Sequence, residues 1–170
     1  MRAERKAERT RLPFASASDL SAEARFEITE ALEASVADGI DLHTQAKVAH
    51  WNVKGPQFSE MHALFETVAE TIASQTDDLA ERAVALGTWI DGTARHVAAS
   101  SRLPDYAPGT TAAADHVRLL VQRLDKHLHG LREALELCQT HQDDVTVDML
   151  TGMTGALEKL GWMLRATLET

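Results

Sequence analysis

The sequence predicts an all-α fold, a four-helix bundle, and three observations carry that reading. Four long stretches repeat apolar residues at helical spacing. Only four prolines and nine glycines interrupt 170 residues. A composition rich in Ala, Leu and Glu, with aromatics at 5%, favours helices over strands. At 18.6 kDa the chain suits one domain with a proper core.

The first helix starts near Ser21, an N-cap with Glu23 in the first turn. Its stripe is Phe26, Leu32, Val36, Ile40 and Leu42, continuing to Trp51, and Gly55-Pro56 ends it. The second runs from about Gln57 to Leu86 with Gly87 as C-cap, on a stripe of Phe58, Met61, Leu64, Phe65, Val68, Ile72 and Leu79. Residues 88–109 form a connector with a short helix around 93–100, closed by LPDYAPG. The third helix follows Thr110-Thr111 and continues to about Gln139; the fourth follows QDD, from about Val145 to Leu168. Four long helices and one long crossover describe a ferritin-like bundle. Residues 1–18 read as a flexible basic tail and 19–170 as the bundle.

The net charge of −9 is unevenly spread. Residues 1–14 hold five basic and two acidic side chains, so they carry +3 and the remainder −12. Cys138 is the only cysteine, which excludes an internal disulfide and suits a reducing compartment. With no signal-like apolar run and no membrane-spanning stretch, a cytoplasmic protein is expected.

The stretch AHWNVKGPQFSEMH places His50 and His62 either side of a Gly-Pro break. Glu66 lies one turn after His62 on the same helical face, and Asp77 and Glu81 lie further along. At about 100° per residue, His62, Glu66, Asp77 and Glu81 fall near 0°, 40°, 60° and 100°, on one stripe. Fifteen residues separate His62 from Asp77 by about 22 Å, so they cannot share a site within one chain. Two copies packed antiparallel about a two-fold axis would instead set His62 and Glu66 of one against Asp77 and Glu81 of the other, twice per dimer. His50 could join across the turn. Imidazoles with carboxylates suit iron, zinc or manganese. No Glu-x-x-His pair, the intra-bundle di-iron signature, occurs in the chain. Chance alignment of acidic residues on an amphipathic helix is the bland alternative.

The segments KVAHWNVKGPQF, MHALFE and TDDLAERAVALG, with ALEKLGWML near the end, resemble in order and spacing the Dps-type mini-ferritins, the DNA-binding proteins from starved cells. The similarity runs from about Asp19 through the final helix. The resemblance implies a hollow homododecamer that oxidises Fe(II), with hydrogen peroxide in preference to oxygen, and stores ferric mineral. By position it assigns His50, His62 and Glu66 to one subunit's share of a ferroxidase site and Asp77 and Glu81 to its two-fold mate's. Glu66 departs from the aspartate often found there. Zinc is a possible alternative occupant. Trp51 resembles the family's tryptophan beside the site, a scavenger of oxidising equivalents or an interface aromatic.

QDDVTVDML resembles the family's acidic pore segment, so Asp143, Asp144 and Asp148 would draw Fe(II) inward; Asp143 and Asp144 equally suit the start of a helix. The runner-up function is DNA compaction at the nucleoid. Arg2, Arg5, Lys6, Arg9 and Arg11 would contact phosphates, although Glu4 and Glu8 dilute the tail and the acidic body repels DNA. A metal-free structural bundle would require the five ligand positions to be degenerate. His43, His96, His116, His127, His129 and His141 lack ligand spacing and are expected in surface or packing roles.

Overall fold

The computed structural model describes residues 12–169. Among them are five helices and no strand: α1 (Ala22–Asn52), α2 (Phe58–Ala85), α3 (Ala94–Ser100), α4 (Ala113–Thr140) and α5 (Asp144–Ala166). The four long helices and the short crossover helix match the sequence reading, with ends within two residues of those expected.

Local chemistry sets each boundary. Ser21 caps α1, its Oγ accepting from the Ala24 N–H at 3.1 Å. Asp143 caps α5 by accepting from the Thr146 N–H. Gly87 ends α2 at φ +109°, and a Cβ there would stand 2.7 Å from the Phe14 carbonyl oxygen, so only glycine fits. The Phe14 N–H donates to the Gly87 carbonyl at 3.0 Å, and Ser16 Oγ donates to the Ala85 carbonyl at 2.7 Å. Residues 12–18, expected in the flexible tail, are thus held along the end of α2. The basic residues assigned to DNA all lie outside the described residues.

The helices pair α1 with α2 and α4 with α5, and α1 also packs on α4. Ile28, Leu32 and Leu42 of α1, Phe65, Ile72 and Leu79 of α2, Leu120, Leu124 and Leu131 of α4, and Leu150 and Leu157 of α5 are fully buried. Their four-, seven- and ten-residue steps are those of core-facing helices. Phe58 departs from the expected stripe: 46% exposed, it is the first residue of α2 and its ring lies 5.1 Å from that of His62. Phe26 and Ile40 of the expected α1 stripe are only partly covered.

The crossover is strapped to α1 by polar contacts. Buried Asp38 accepts from the Arg102 backbone N–H at 2.8 Å and from its guanidinium at 2.7 and 2.9 Å. Asp41 accepts from Ser101 Oγ at 2.6 Å. This fastening ties residues 101–102 to the middle of α1, from which the segment runs on to Thr111 beside the α1–α2 turn.

Candidate metal centre

The turn between α1 and α2 is built to bring two histidines together. Gly55 takes φ +114°, the Phe58 N–H returns to the Gly55 carbonyl at 3.1 Å, and α2 starts antiparallel to α1. The Lys54 N–H donates to the Thr111 carbonyl at 2.9 Å, pinning the turn against the start of α4. The last turn of α1 therefore faces the second turn of α2.

His50 and His62 meet there in a reciprocal arrangement. His50 Nδ1 lies 2.9 Å from the His62 carbonyl oxygen, and His62 Nδ1 lies 2.9 Å from the His50 carbonyl oxygen. The rings stack with centroids 3.7 Å apart. A carbonyl only accepts, so each Nδ1 carries the hydrogen. In the neutral rings Nε2 is then the free lone pair, and backbone carbonyls holding Nδ1–H orient a metal-binding histidine in just this way.

Glu66 completes the half-site. Its Oε2 lies 3.2 Å from His50 Nδ1 and accepts from Lys47 Nζ at 2.5 Å. The hydrogen bond from Lys47 holds its carboxyl below the usual carboxylate range; partial burial opposes this, and the charges of His50, Lys47 and His62 reinforce it. Two imidazole nitrogens and a carboxylate are ligands suited to iron, manganese or zinc. Lys47 escaped the sequence reading, although it stands three residues before His50 on the same face. Trp51 is 65% exposed, with Lys47 Nζ 5.9 Å from its ring centroid.

Asp77 and Glu81 are exposed on α2, four to five turns from His62. Asp77 lines an open cavity of about 310 Å³ with Val36, Ile40, His43, Thr76 and Ile90. Among the described residues, no three His, Cys, Asp or Glu side chains of one chain converge as a metal cluster.

The acidic segment divides. Asp143 is 4% exposed, and its carboxylate is taken by Arg82 Nη2 at 2.7 Å and by the Thr146 hydroxyl and N–H. Burial pushes its pKa up, but the bonds from Thr146 and Arg82 prevail and hold it low. Asp143 is spent on capping α5 and tying it to α2, which removes it from the pore reading. Asp144 and Asp148 are exposed. His141, three residues before Asp144, pairs with Glu27 at 2.8 Å and His43 Nδ1 donates to the Ala69 carbonyl, structural roles in keeping with the sequence expectation.

The ferritin-like domain family model matches residues 29–170. A DNA protection during starvation protein from Agrobacterium fabrum is 32% identical over 152 residues, spanning 89% of this chain and 94% of that protein. DNA protection during starvation protein 2 from Bacillus anthracis is 35% identical over 143 residues, spanning 84% and 97%. DpsA14 from Streptomyces coelicolor superposes with a TM-score of 0.88 at 31% identity, covering 94% of this chain and 95% of that one. A Vibrio cholerae Dps, described as a member of a broad superfamily of ferritin-like diiron-carboxylate proteins, superposes with a TM-score of 0.85 at 25% identity, over 91% and 99%. By its matched domain and these relatives, the chain belongs to the ferritin-like superfamily and, within it, to the Dps family.

Proposed function

We propose that this protein is a ferroxidase that oxidises Fe(II), with hydrogen peroxide as oxidant, and stores the ferric product inside a homododecamer, protecting DNA from oxidative damage. The observation that carries the reading is the half-site: two histidines whose Nδ1–H groups are bound by each other's carbonyls, which leaves each Nε2 lone pair free, with the Glu66 carboxylate one turn after His62 and 3.2 Å from His50 Nδ1. Asp77 and Glu81 of a second copy supply the remaining oxygens across a two-fold axis.

Iron is the substrate. Peroxide takes one electron from each of two Fe(II) ions as its O–O bond breaks, and two protons convert the oxygens to two waters. Pairing the electrons avoids release of hydroxyl radical. Carboxylate oxygens stabilise Fe(III), the harder ion, more than Fe(II), which favours oxidation at Glu66, Asp77 and Glu81. Lys47 competes with iron for Glu66, so iron entry exchanges one cation for another on that carboxylate. Asp144 and Asp148 supply the negative potential that draws Fe(II) toward the interior.

The test is anaerobic Fe(II) titration followed by hydrogen peroxide, reading ferric absorbance and spin-trapped hydroxyl radical in the wild type and in His62→Ala with Asp77→Ala. Fast oxidation with little radical, lost in the variant, is expected. Oxidation no faster than that of free iron, unchanged in the variant, contradicts the reading. DNA binding by Arg2, Arg5, Lys6, Arg9 and Arg11 is the second reading, favoured by the +3 charge of residues 1–14. It would then lead.

A further inference from the structure

The ferroxidase chemistry leaves unused a hydrogen-bonded pair of titratable groups, half-buried Tyr106 and fully buried His116. Tyr106, on the crossover, is hydrogen-bonded to His116 in the first turn of α4, with its phenol oxygen 2.6 Å from Nδ1. His116 is 0% exposed. Its Nε2 is buried with no hydrogen-bond partner among the described residues, and the backbone at Asn52 and Thr110 favours a proton on the ring. With the neutral ring's hydrogen on Nε2, Nδ1 is the acceptor and the Tyr106 hydroxyl donates to it. Burial holds the His116 pKa low against the opposing charge of Asp115, and burial also raises that of Tyr106, so the pair rests as a neutral phenol on a neutral imidazole.

A phenol in this setting loses an electron far more readily if its proton has somewhere to go, and Nδ1 is already in place. The pair also lies beside the candidate site. The His116 ring packs edge-on against Phe65 with centroids 5.8 Å apart, and Phe65 immediately precedes Glu66 on α2. The Tyr106 and His116 centroids are 5.9 Å apart. The start of α4 that carries His116 is tied to the α1–α2 turn by the Lys54 N–H donating to the Thr111 carbonyl at 2.9 Å, which keeps the phenol close to the half-site.

We infer that Tyr106 and His116 form a proton-coupled electron donor that quenches the hydroxyl radical produced when a site holding a single Fe(II) meets hydrogen peroxide. The inference rests on the ferroxidase reading and extends it to half-filled sites. One Fe(II) and one peroxide give Fe(III), hydroxide and a hydroxyl radical. Tyr106 gives the radical one electron, making a second hydroxide; its O–H bond breaks and a new N–H bond forms on His116 Nδ1. The next Fe(II) to arrive reduces the neutral tyrosyl radical, and the proton returns from Nδ1 to oxygen. The sum is two Fe(II) and one peroxide to two Fe(III) and two hydroxides, with nothing consumed from the protein.

Tyr106 is the chain's only tyrosine, which makes the test unambiguous. The full-length wild type, produced with ring-deuterated tyrosine, is given less than one Fe(II) per site under anaerobic conditions, then peroxide, and freeze-quenched for electron paramagnetic resonance. A tyrosyl signal that narrows with the label, is lost in Tyr106→Phe, and is replaced there by a larger hydroxyl-radical spin adduct is expected. In D₂O, the signal should show an exchangeable deuteron coupled to the phenoxyl oxygen, the one now on Nδ1. Iron oxidised without a tyrosyl signal, or a spin-adduct yield unchanged in Tyr106→Phe, overturns the inference and leaves the ferroxidase standing. A tyrosyl signal lacking the exchangeable coupling overturns the part given to His116. Failure of the wild type to oxidise iron overturns both.

Discussion

At the scale of single residues, two of the histidines without ligand spacing, His43 and His127, behave differently once packed. His43 finds a carbonyl, whereas His127 is 1% exposed with its Nδ1 lacking a partner among the described residues. Burial pushes the His127 pKa down to about 4; Asp38 nearby opposes this and Arg102 adds to it. In the unfolded chain the same group binds a proton near pH 6.5. Between those values the unfolded state holds more protons than the folded one, so stability falls as pH drops from about 6.5 and levels off near 4. The loss totals about 3 kcal/mol by linkage. Urea unfolding at stepped pH should show this slope in the wild type and a flatter one in His127→Leu; an identical slope in both would refute it. None of this was legible in the sequence. His127 and His129 stand two apart on one helix, and only the packing of α4 against α1 decides which one is buried.

At the scale of elements, the long helices were readable because their apolar spacing, their caps and the Gly-Pro break agree. Close approaches between helices were not readable, since they depend on crossing geometry. α1 and α2 pack so tightly at Gly39 that a Cβ there would stand 2.2 Å from Thr76 Oγ1, a buried hydroxyl that donates to the Ile72 carbonyl. Gly39→Ala should therefore destabilise the fold by about 1–3 kcal/mol. Removing the obstructing hydroxyl and methyl with Thr76→Ala should recover part of that loss, a coupling that thermal unfolding of the two single variants and the double variant would measure. Additive effects would show that the two positions do not constrain one another. The same dependence on packing explains Asp143. Its acidic neighbourhood suggested a pore, whereas the fold turns its carboxylate inward to Arg82 and Thr146.

At the scale of the whole molecule, the site is half of something. His62 and Glu66 were foreseen together from their spacing and His50 from the family resemblance, and the three lie together because the turn between His50 and His62 folds α2 back along α1. Asp77 and Glu81 were foreseen on the same stripe, and the unbroken helix from Phe58 to Ala85 keeps them turns away from His62. A complete oxygen and nitrogen set then needs a second chain, and that is the account's central claim. It is tested by mixing. His62→Ala and Asp77→Ala, each inactive alone, are unfolded, combined in equal amounts and refolded together. Random pairing makes half of the two-fold dimers mixed, and each mixed dimer holds one intact site and one doubly damaged one, so the mixture should regain about a quarter of the wild-type initial rate of Fe(II) oxidation. Refolded mixtures no more active than either variant alone would contradict a site shared between two subunits.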